Sequence, residues 1–368
     1  MFTRRQFTLS TAASAAAAMA GSGLLASCSD AGYEQAVRDT WRHGRGPQGD
    51  QAGRLRELVR YATLAPSSHN TQCWKFRLEE RAITLLPDLT RRCPAVDPDD
   101  HHLFVSLGCA AENLAQAALA DGLKAEAAFD AAGGDTLRIG LQPTRPVDSP
   151  LFRAIPERQS TRGDYDGKPL SADELRLLEQ AGSGAGVRLI LLTERQAMET
   201  TLEYIVQGNT VQMGDRAFVE ELKAWIRFND GDAVRSGDGL YAAASGNPTA
   251  PAWLGGLLFD LFFTPKGEND KYARQVRSSA GLAIFVAERE DKAGWIEVGR
   301  AYERFALQSA ALGIRNAFLN QPVEVAALRP QFAGFLGIGR RRPDLVVRFG
   351  RGNKLPSSLR RNLEAVLA

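Results

Sequence analysis

Histidine and cysteine are scarce in this chain, with four of each among 368 residues. That scarcity removes several kinds of chemistry. His43, His69, His101 and His102 form no HExxH and no i,i+4 pair, and no Cys/His grouping has zinc-site spacing. A GxSxG elbow for a serine nucleophile is missing. Cys73, Cys93 and Cys109 are odd in number and unevenly placed, which speaks against a disulfide framework and for small buried side chains. Gly-rich pieces such as Gly350-Arg351-Gly352 lack the strand-to-helix setting of a dinucleotide fingerprint. An excess of one charge is also lacking: 45 basic against 43 acidic residues leave +2, with the signs interspersed. No basic stripe suited to nucleic acid results.

What is present begins at the N-terminus. Arg4 and Arg5 precede an Ala-rich, acid-free run from Ala12 to Ala26, the pattern of an export signal. The string TRRQFTL, with Phe7 two positions after the paired arginines, resembles the twin-arginine signal, whose machinery exports folded proteins. LASC, ending at Cys28, resembles a bacterial lipobox; a chance cysteine is the alternative. Lipidation there would anchor the mature protein to the extracytoplasmic, periplasmic face of a membrane without a span. No other stretch reaches the roughly 18 apolar residues of a span. Residues 1–28 are therefore expected to be signal and residues 29–53 a Gly-, Arg- and Asp-rich tether.

The folded body is expected from Arg54. Leu55, Leu58, Val59, Ala62 and Leu64 recur at helical spacing until Pro66, and a strand begins at Trp74. Further strands are predicted over 83–86, 136–141, 187–192, 282–287 and 345–349. Helices are predicted over 103–122, from Ser171 with its capping-box Glu174, over 197–228 and over 296–312. Three prolines in 142–150 mark the best internal boundary, giving halves 54–149 and 150–368. The long helices of the two halves repeat: GCAAENLAQAALADGL from Gly108 and GRAYERFALQSAALGI from Gly299 match without a gap at Gly108/Gly299, Ala110/Ala301, Glu112/Glu303, Ala115/Ala306, Ala120/Ala311 and Gly122/Gly313. Duplication explains the match; two unrelated Ala-rich core helices are the alternative.

Two polar strings carry the chemistry. In APSSHNTQ, Ser67, Ser68, Asn70 and Gln72 follow Pro66, and a loop so dense in groups that both donate and accept can read the edge of a heteroaromatic ring. A Ser/Asn turn cap is the simpler alternative. In ERQSTRG, Arg158 and Arg162 flank Ser160 in a spacing that brings two guanidinium groups and a hydroxyl toward one phosphate, unless the arginines are merely solvated.

RxSxR before a helix, PSSxNxQxW before a strand and an Ala-rich helix ending in Ala-Leu-Gly together resemble the FMN-dependent nitroreductases. That family pairs two subunits with flavin sites at their interface. Here PSSHNTQCW stands in the first half and RQSTR in the second, each without its counterpart, so one complete site remains. This resembles the fused, Acg-type branch, as do DGLYAAASGNP, ENDKYARQVRSSAG and NAFLNQPVE. The resemblance implies an α+β fold duplicated into a pseudo-dimer, helices packed around mixed or antiparallel sheets, with one FMN between the halves. It implies that Pro66, Ser67, Ser68 and Asn70 meet the isoalloxazine and Gln72 supports the loop. Arg158, Ser160 and Arg162 would hold the phosphate, Asn320 and Gln321 would lie beside the ring, and Arg360 would meet the phosphate. Residues 229–279 would form a lid, with Lys271 or Arg274 as a further positive group near the ring.

The flavin would carry the redox chemistry, which agrees with the missing nucleophile and the missing carboxylate pair. The expected activity is reduction of nitroaromatics, quinones or related electrophiles, with NAD(P)H or a membrane donor supplying electrons. A flavoprotein that sequesters FMN under its lid is the alternative from another class, and a cofactor-free anchored scaffold is a third.

Overall fold

A computed structural model describes residues 31–44, 50–184 and 186–368. The expected signal and Cys28 lie outside the described residues. Residues 31–40 form helix α1, contrary to the expected tether. Tyr33 is buried against Ala233, Tyr241 and Leu359, and its hydroxyl donates to the Ser357 carbonyl at 2.6 Å. Trp41 Nε1 donates to Ser358 O at 2.9 Å. Two aromatics thus fasten a segment whose overall polarity reads as linker.

Helix α2 (Gln51–Thr63) starts at Asp50, whose carboxylate accepts from Gly53 N, and buries Leu55, Leu58, Val59 and Ala62. Strands β1 (Trp74–Glu79) and β2 (Ala82–Pro87) form a tight hairpin, followed by α3 (His101–Ala120), β3 (Leu123–Asp130) and β4 (Thr136–Pro143). The Ala-rich β3 is absent from the sequence expectation because alanine has little intrinsic strand preference and this strand lies at the sheet edge. A short α4 (Pro150–Ala154), capped by Ser149, begins at the expected boundary.

The second half repeats the plan. Helix α5 (Ala172–Gly182) carries the capping box of Ser171 and Glu174. Strand β5 (Val187–Leu192) leads to an excursion of α6 (Arg195–Gly214), α7 (Arg216–Ala224), β6 (Ile226–Arg227), α8 (Asp230–Ser236), β7 (Leu240–Tyr241), α9 (Ala252–Phe262) and α10 (Pro265–Arg277). The helix expected over 197–228 is two helices, because the Asp215 carboxylate accepts from Ala217 N and starts a new one. The chain then continues as β8 (Gly281–Ala287), α11 (Lys292–Ala311), β9 (Arg315–Phe318), α12 (Gln321–Glu324), α13 (Arg329–Phe335) and β10 (Leu345–Gly350). The sequence expectation also lacks β9.

The two four-stranded sheets have orders β1-β2-β4-β3 and β5-β8-β10-β9, with antiparallel neighbours throughout. In each, the first, second, fourth and third strands follow in space, and the long helix joins the second strand to the third. The halves differ between their first two strands, where the second half has the excursion. Strand β8 is buried along its whole length, as expected of a sheet covered on both faces, whereas β4 alternates buried and open positions.

The long helices α3 and α11 cross at the paired glycines. A Cβ on Gly108 would lie 2.0 Å from Ile296 O, and one on Gly299 would lie 1.9 Å from Val105 O. Each glycine therefore meets the carbonyl three residues before the other, the self-complementary contact a twofold relation produces. The architecture is an α+β fold consistent with a fused duplicate. One apolar core runs through both halves, from Leu58 and Phe104 to Phe285, Tyr302 and Phe305. A second, with Met198, Ile205, Val276, Val323 and Phe332, lies on the other face of the second sheet.

Candidate functional site

A cavity of about 550 Å³ opens where the two halves meet the excursion. Its size is that of an ordinary small-molecule site. Three walls define it.

The first wall is the loop after α2. Pro66, Ser67, Ser68 and His69 line the cavity. The loop is strained: His69, Asn70 and Gln72 have φ of 48°, 54° and 54°. Non-glycine residues adopt this left-handed region at a cost of order 1–3 kcal/mol each, so surrounding bonds must hold them. Ser67 Oγ accepts from Gln72 N at 2.9 Å. Asn70 Nδ2 donates to Gly239 O at 2.9 Å and Leu359 O at 3.2 Å, and Gln72 Nε2 donates to Gly237 O at 2.9 Å. Asn70 and Gln72 therefore face away from the cavity and tie the loop to the excursion and to the C-terminal segment.

The second wall comes from the second half, with a residue of α3. Arg162, Asn320, Gln321 and Glu324 line it with His102, Asn209 and Gln212. Gly208 lets α6 approach α12 closely, since a Cβ there would lie 2.7 Å from Gln321 O. Asn320 Oδ1 accepts from Val346 N at 3.0 Å, which seats the turn on β10. Gln321 Oε1 is buried without a hydrogen-bond partner.

Arg162 decides the electrostatics. Burial lowers its proton affinity, and the ionisable groups that face it are Tyr272, Tyr302, Tyr165 and His69. Among the described residues no carboxylate pairs with it. The same burial, with the Arg162 charge added, pushes His69 down to about 4, so its imidazole is neutral, and its Nε2 has no partner. A half-buried cation without a carboxylate partner carries an electrostatic cost, and an anionic ligand in the cavity relieves it.

The third wall is apolar and comes from the excursion: Phe228, Leu258, Phe259, Phe262 and Phe263, with Lys271 and Tyr272 at its edge. Lys271 lies 3.6 Å from Glu268, whereas Arg274 faces a separate surface depression beside Asp164 and Gly167.

The other arginines named from the sequence stand elsewhere. Arg158 lies 3.3 Å from Glu303 in the core and donates to Leu64 O at 2.9 Å. Arg360 donates to Thr63 O at 2.7 Å and to Leu64 O and Ala65 O at 3.1 Å each, closing the end of α2 beneath Trp41. Ser160 pairs with Asn316 through the backbone beside β9. Of the eleven residues proposed from sequence, Pro66, Ser67, Ser68, Arg162, Asn320 and Gln321 thus meet at the cavity, while Asn70, Gln72, Arg158, Ser160 and Arg360 build its support.

His102, Gln212 and Glu324 carry no local signal as site residues: His102 and Gln212 lie within the long helices α3 and α6, and Glu324 ends the four-residue α12. Asp97, His101 and His102 also converge, with ligand-type atoms within 4.8 Å of one another. The Asp97 oxygens accept from the amides of His102 and Leu103 at 3.0 Å each, and His101 Nε2 meets Asp344 Oδ1 at 2.9 Å. These groups cap α3 and tie it to the start of β10.

The fold and the two-motif cavity together define a nitroreductase-like protein. No family model matches the chain. It is 25% identical over 350 residues, 88% of this chain and 95% of the relative, to a Mycobacterium tuberculosis protein that carries the name NAD(P)H nitroreductase Rv3131, and the counterpart in a second strain matches equally. Similarity over nearly the full length of both chains supports the nitroreductase family. Solved structures with which the chain aligns include a nitroreductase with bound FMN from Desulfitobacterium hafniense, at 13% identity and TM-score 0.36 over 59% of this chain and 95% of that one. Another is the FMN-dependent nitroreductase NfnB from Mycobacterium smegmatis in complex with NADPH, at 13% identity and TM-score 0.36 over 55% and 88%.

Proposed function

We propose that this chain is an FMN-dependent oxidoreductase of the Acg-type fused branch that binds one FMN in the cavity between its halves and takes electrons from an NAD(P)H-class donor to reduce nitroaromatics, quinones or related electrophiles. The observation that carries it is the unpaired Arg162 facing a cavity whose opposite wall is the Pro66–His69 loop. The residues fit the cofactor: a cation for an anionic group, a neutral His69 Nε2 and an unpartnered Gln321 Oε1 for the polar edge of a flavin, and an apolar third wall for its face. Bound there, FMN supplies two-electron redox chemistry. The chain would hold and orient it, and Phe259 and Phe263 would limit water at its apolar side. Lys271 offers a second positive charge at the rim.

A sequestering role draws support from the same aromatic wall, which could cover a bound flavin and leave little room for a substrate. One experiment separates the two. The purified protein is expected to hold about one FMN per chain and to bleach on anaerobic NADPH titration. Two FMN per chain would contradict the single fused site, a colourless protein that takes up no FMN would contradict flavin binding, and a bound flavin that no donor reduces would favour sequestration.

The export reading of residues 1–28 stands beside this as a proposal about where the enzyme works, supported by Arg4, Arg5 and the LASC string. Replacing both arginines with lysine is expected to leave the protein in the cytoplasm in a fractionation assay, and Cys28→Ala is expected to release it from membranes. An unchanged distribution would refute each.

A further inference from the structure

Glu324 is the one carboxyl at the second wall with an imidazole beside it. It lines the cavity at the end of α12, accepts from Gln212 Nε2 at 2.6 Å, and lies 3.6 Å from His102 Nε2, which has no hydrogen-bond partner. Three elements hold it. Helix α6 supplies Gln212; α3 supplies His102; and Arg329, at the start of α13, donates to the backbone carbonyls of Val323 and Glu324 at 2.6 Å and 3.4 Å. The surrounding ionisable groups are His102, Asp97, Arg329 and Tyr272, with His101, Asp99 and Arg342 behind His102.

Burial pushes Glu324 up to about 7, with the Asp97 charge adding to the effect and Gln212 and Arg329 opposing it. Burial keeps the His102 imidazole well below its ordinary value, so it is neutral and does not hold Glu324 ionised. The result is a carboxyl that faces a ligand cavity and still carries its proton near neutrality, the condition under which an acid transfers a proton most effectively.

We propose that Glu324 donates the proton that an oxygen-bearing acceptor takes up when it is reduced in this cavity. The inference rests on the flavin reading. A quinone becoming a hydroquinone takes two electrons and two protons. The electrons and one proton derive from the NAD(P)H-class donor by way of the bound cofactor. For the other proton, the Glu324 O–H bond breaks, the hydroquinone O–H bond forms, and solvent reprotonates the carboxylate. An acceptor that takes electrons alone, such as ferricyanide, does not need Glu324.

The test compares wild type, Glu324→Gln and Glu324→Asp as FMN-loaded proteins, with NADPH as donor and benzoquinone or ferricyanide as acceptor. Glu324→Gln is expected to lower the ratio of quinone to ferricyanide turnover about 100-fold, the usual scale of general-acid catalysis. It is also expected to abolish the fall in quinone rate above about pH 7, and Glu324→Asp should recover part of both. A readout independent of turnover is the melting temperature against pH. A raised carboxyl value means the folded chain binds the proton more tightly, so this contribution is full below the ordinary value of 4.5 and is lost as pH climbs through about 7. Wild type is therefore expected to lose a few degrees relative to Glu324→Gln between pH 5 and pH 8. A ratio within twofold of wild type with the pH profile retained would overturn the role of Glu324. Failure to bind FMN, seen in the absorption spectrum, would instead overturn the flavin reading and the acceptor chemistry with it.

Discussion

Arg162→Met is expected to move stability and cofactor affinity in opposite directions. In the cofactor-free protein the guanidinium is half-buried at the cavity wall, which lowers its proton affinity, and no carboxylate pairs with it among the described residues. Removing the charge while keeping an aliphatic stem therefore relieves a cost, and the melting temperature of the cofactor-free protein should rise by one to a few degrees, at about 1–2 °C per kcal/mol for a chain of this size. If Arg162 holds an anionic group of FMN as proposed, the same substitution would remove charge-assisted hydrogen bonds, each worth about 1.5–3 kcal/mol. Affinity should drop roughly tenfold to a hundredfold, since 1.4 kcal/mol is a factor of ten. Calorimetry of the cofactor-free protein and a fluorescence titration with FMN check the two signs. A purely structural arginine would lower the melting temperature and leave the affinity alone, which would remove the main support for an anionic ligand.

The second large effect is expected at the crossing of α3 and α11. Gly299→Ala places a Cβ 1.9 Å from Val105 O, 2.8 Å from Val105 C and 3.0 Å from Cys109 N. All three atoms are backbone, so no side chain can swing aside and the helices must separate. Overpacking of this kind costs about 3 kcal/mol or more, and the melting temperature should fall by about 3–6 °C or more. Gly108→Ala should cost a similar amount, because its Cβ would meet Ile296 O at 2.0 Å in the corresponding contact. Gly334→Ala, in α13 with nothing within 4 Å, is the control and should be neutral or stabilising by up to about 1 kcal/mol. Since the first and second walls belong mainly to different halves, separation of the helices should also weaken FMN binding. Unfolding that leaves Gly299→Ala as stable as the control would mean the helices do not cross there in solution.

The glycine pair also shows why parts of the architecture were legible early. Gly108 and Gly299 fall at the same position of two matching helical strings, and the matching needed only the sequence. That they touch required the fold, because helical periodicity specifies a face and leaves its partner open. Cys109 is the same case: its sequence context marks it as a small buried side chain, and the structure places its Sγ 3.3 Å from Gly299 O, where a larger group would not fit.

At the cavity the division falls within single motifs. PSSHNTQ is recognisable as a polar loop, yet its side chains divide by backbone conformation: three positive φ values turn Asn70 and Gln72 outward to the carbonyls of Gly237, Gly239 and Leu359 and leave Ser67, Ser68 and His69 at the cavity. In RQSTR, spacing alone treats Arg158 and Arg162 as equals. The structure separates them by what each finds nearby: Arg158 has Glu303 as a core counter-ion, and Arg162 has tyrosines and a neutral imidazole.

The sequence by itself determined the duplicated helical pattern, most of the strands, the polar loop after Pro66 and the segregation of the two motifs into separate halves, because these depend on local periodicity, caps and composition. Only the tertiary structure decided that residues 31–40 dock as a helix, that Arg162 has no carboxylate partner among the described residues and that Glu324 meets His102 at the cavity wall. Burial and charge pairing are properties of groups far apart in the chain, and they become definite only when packing removes water from between them.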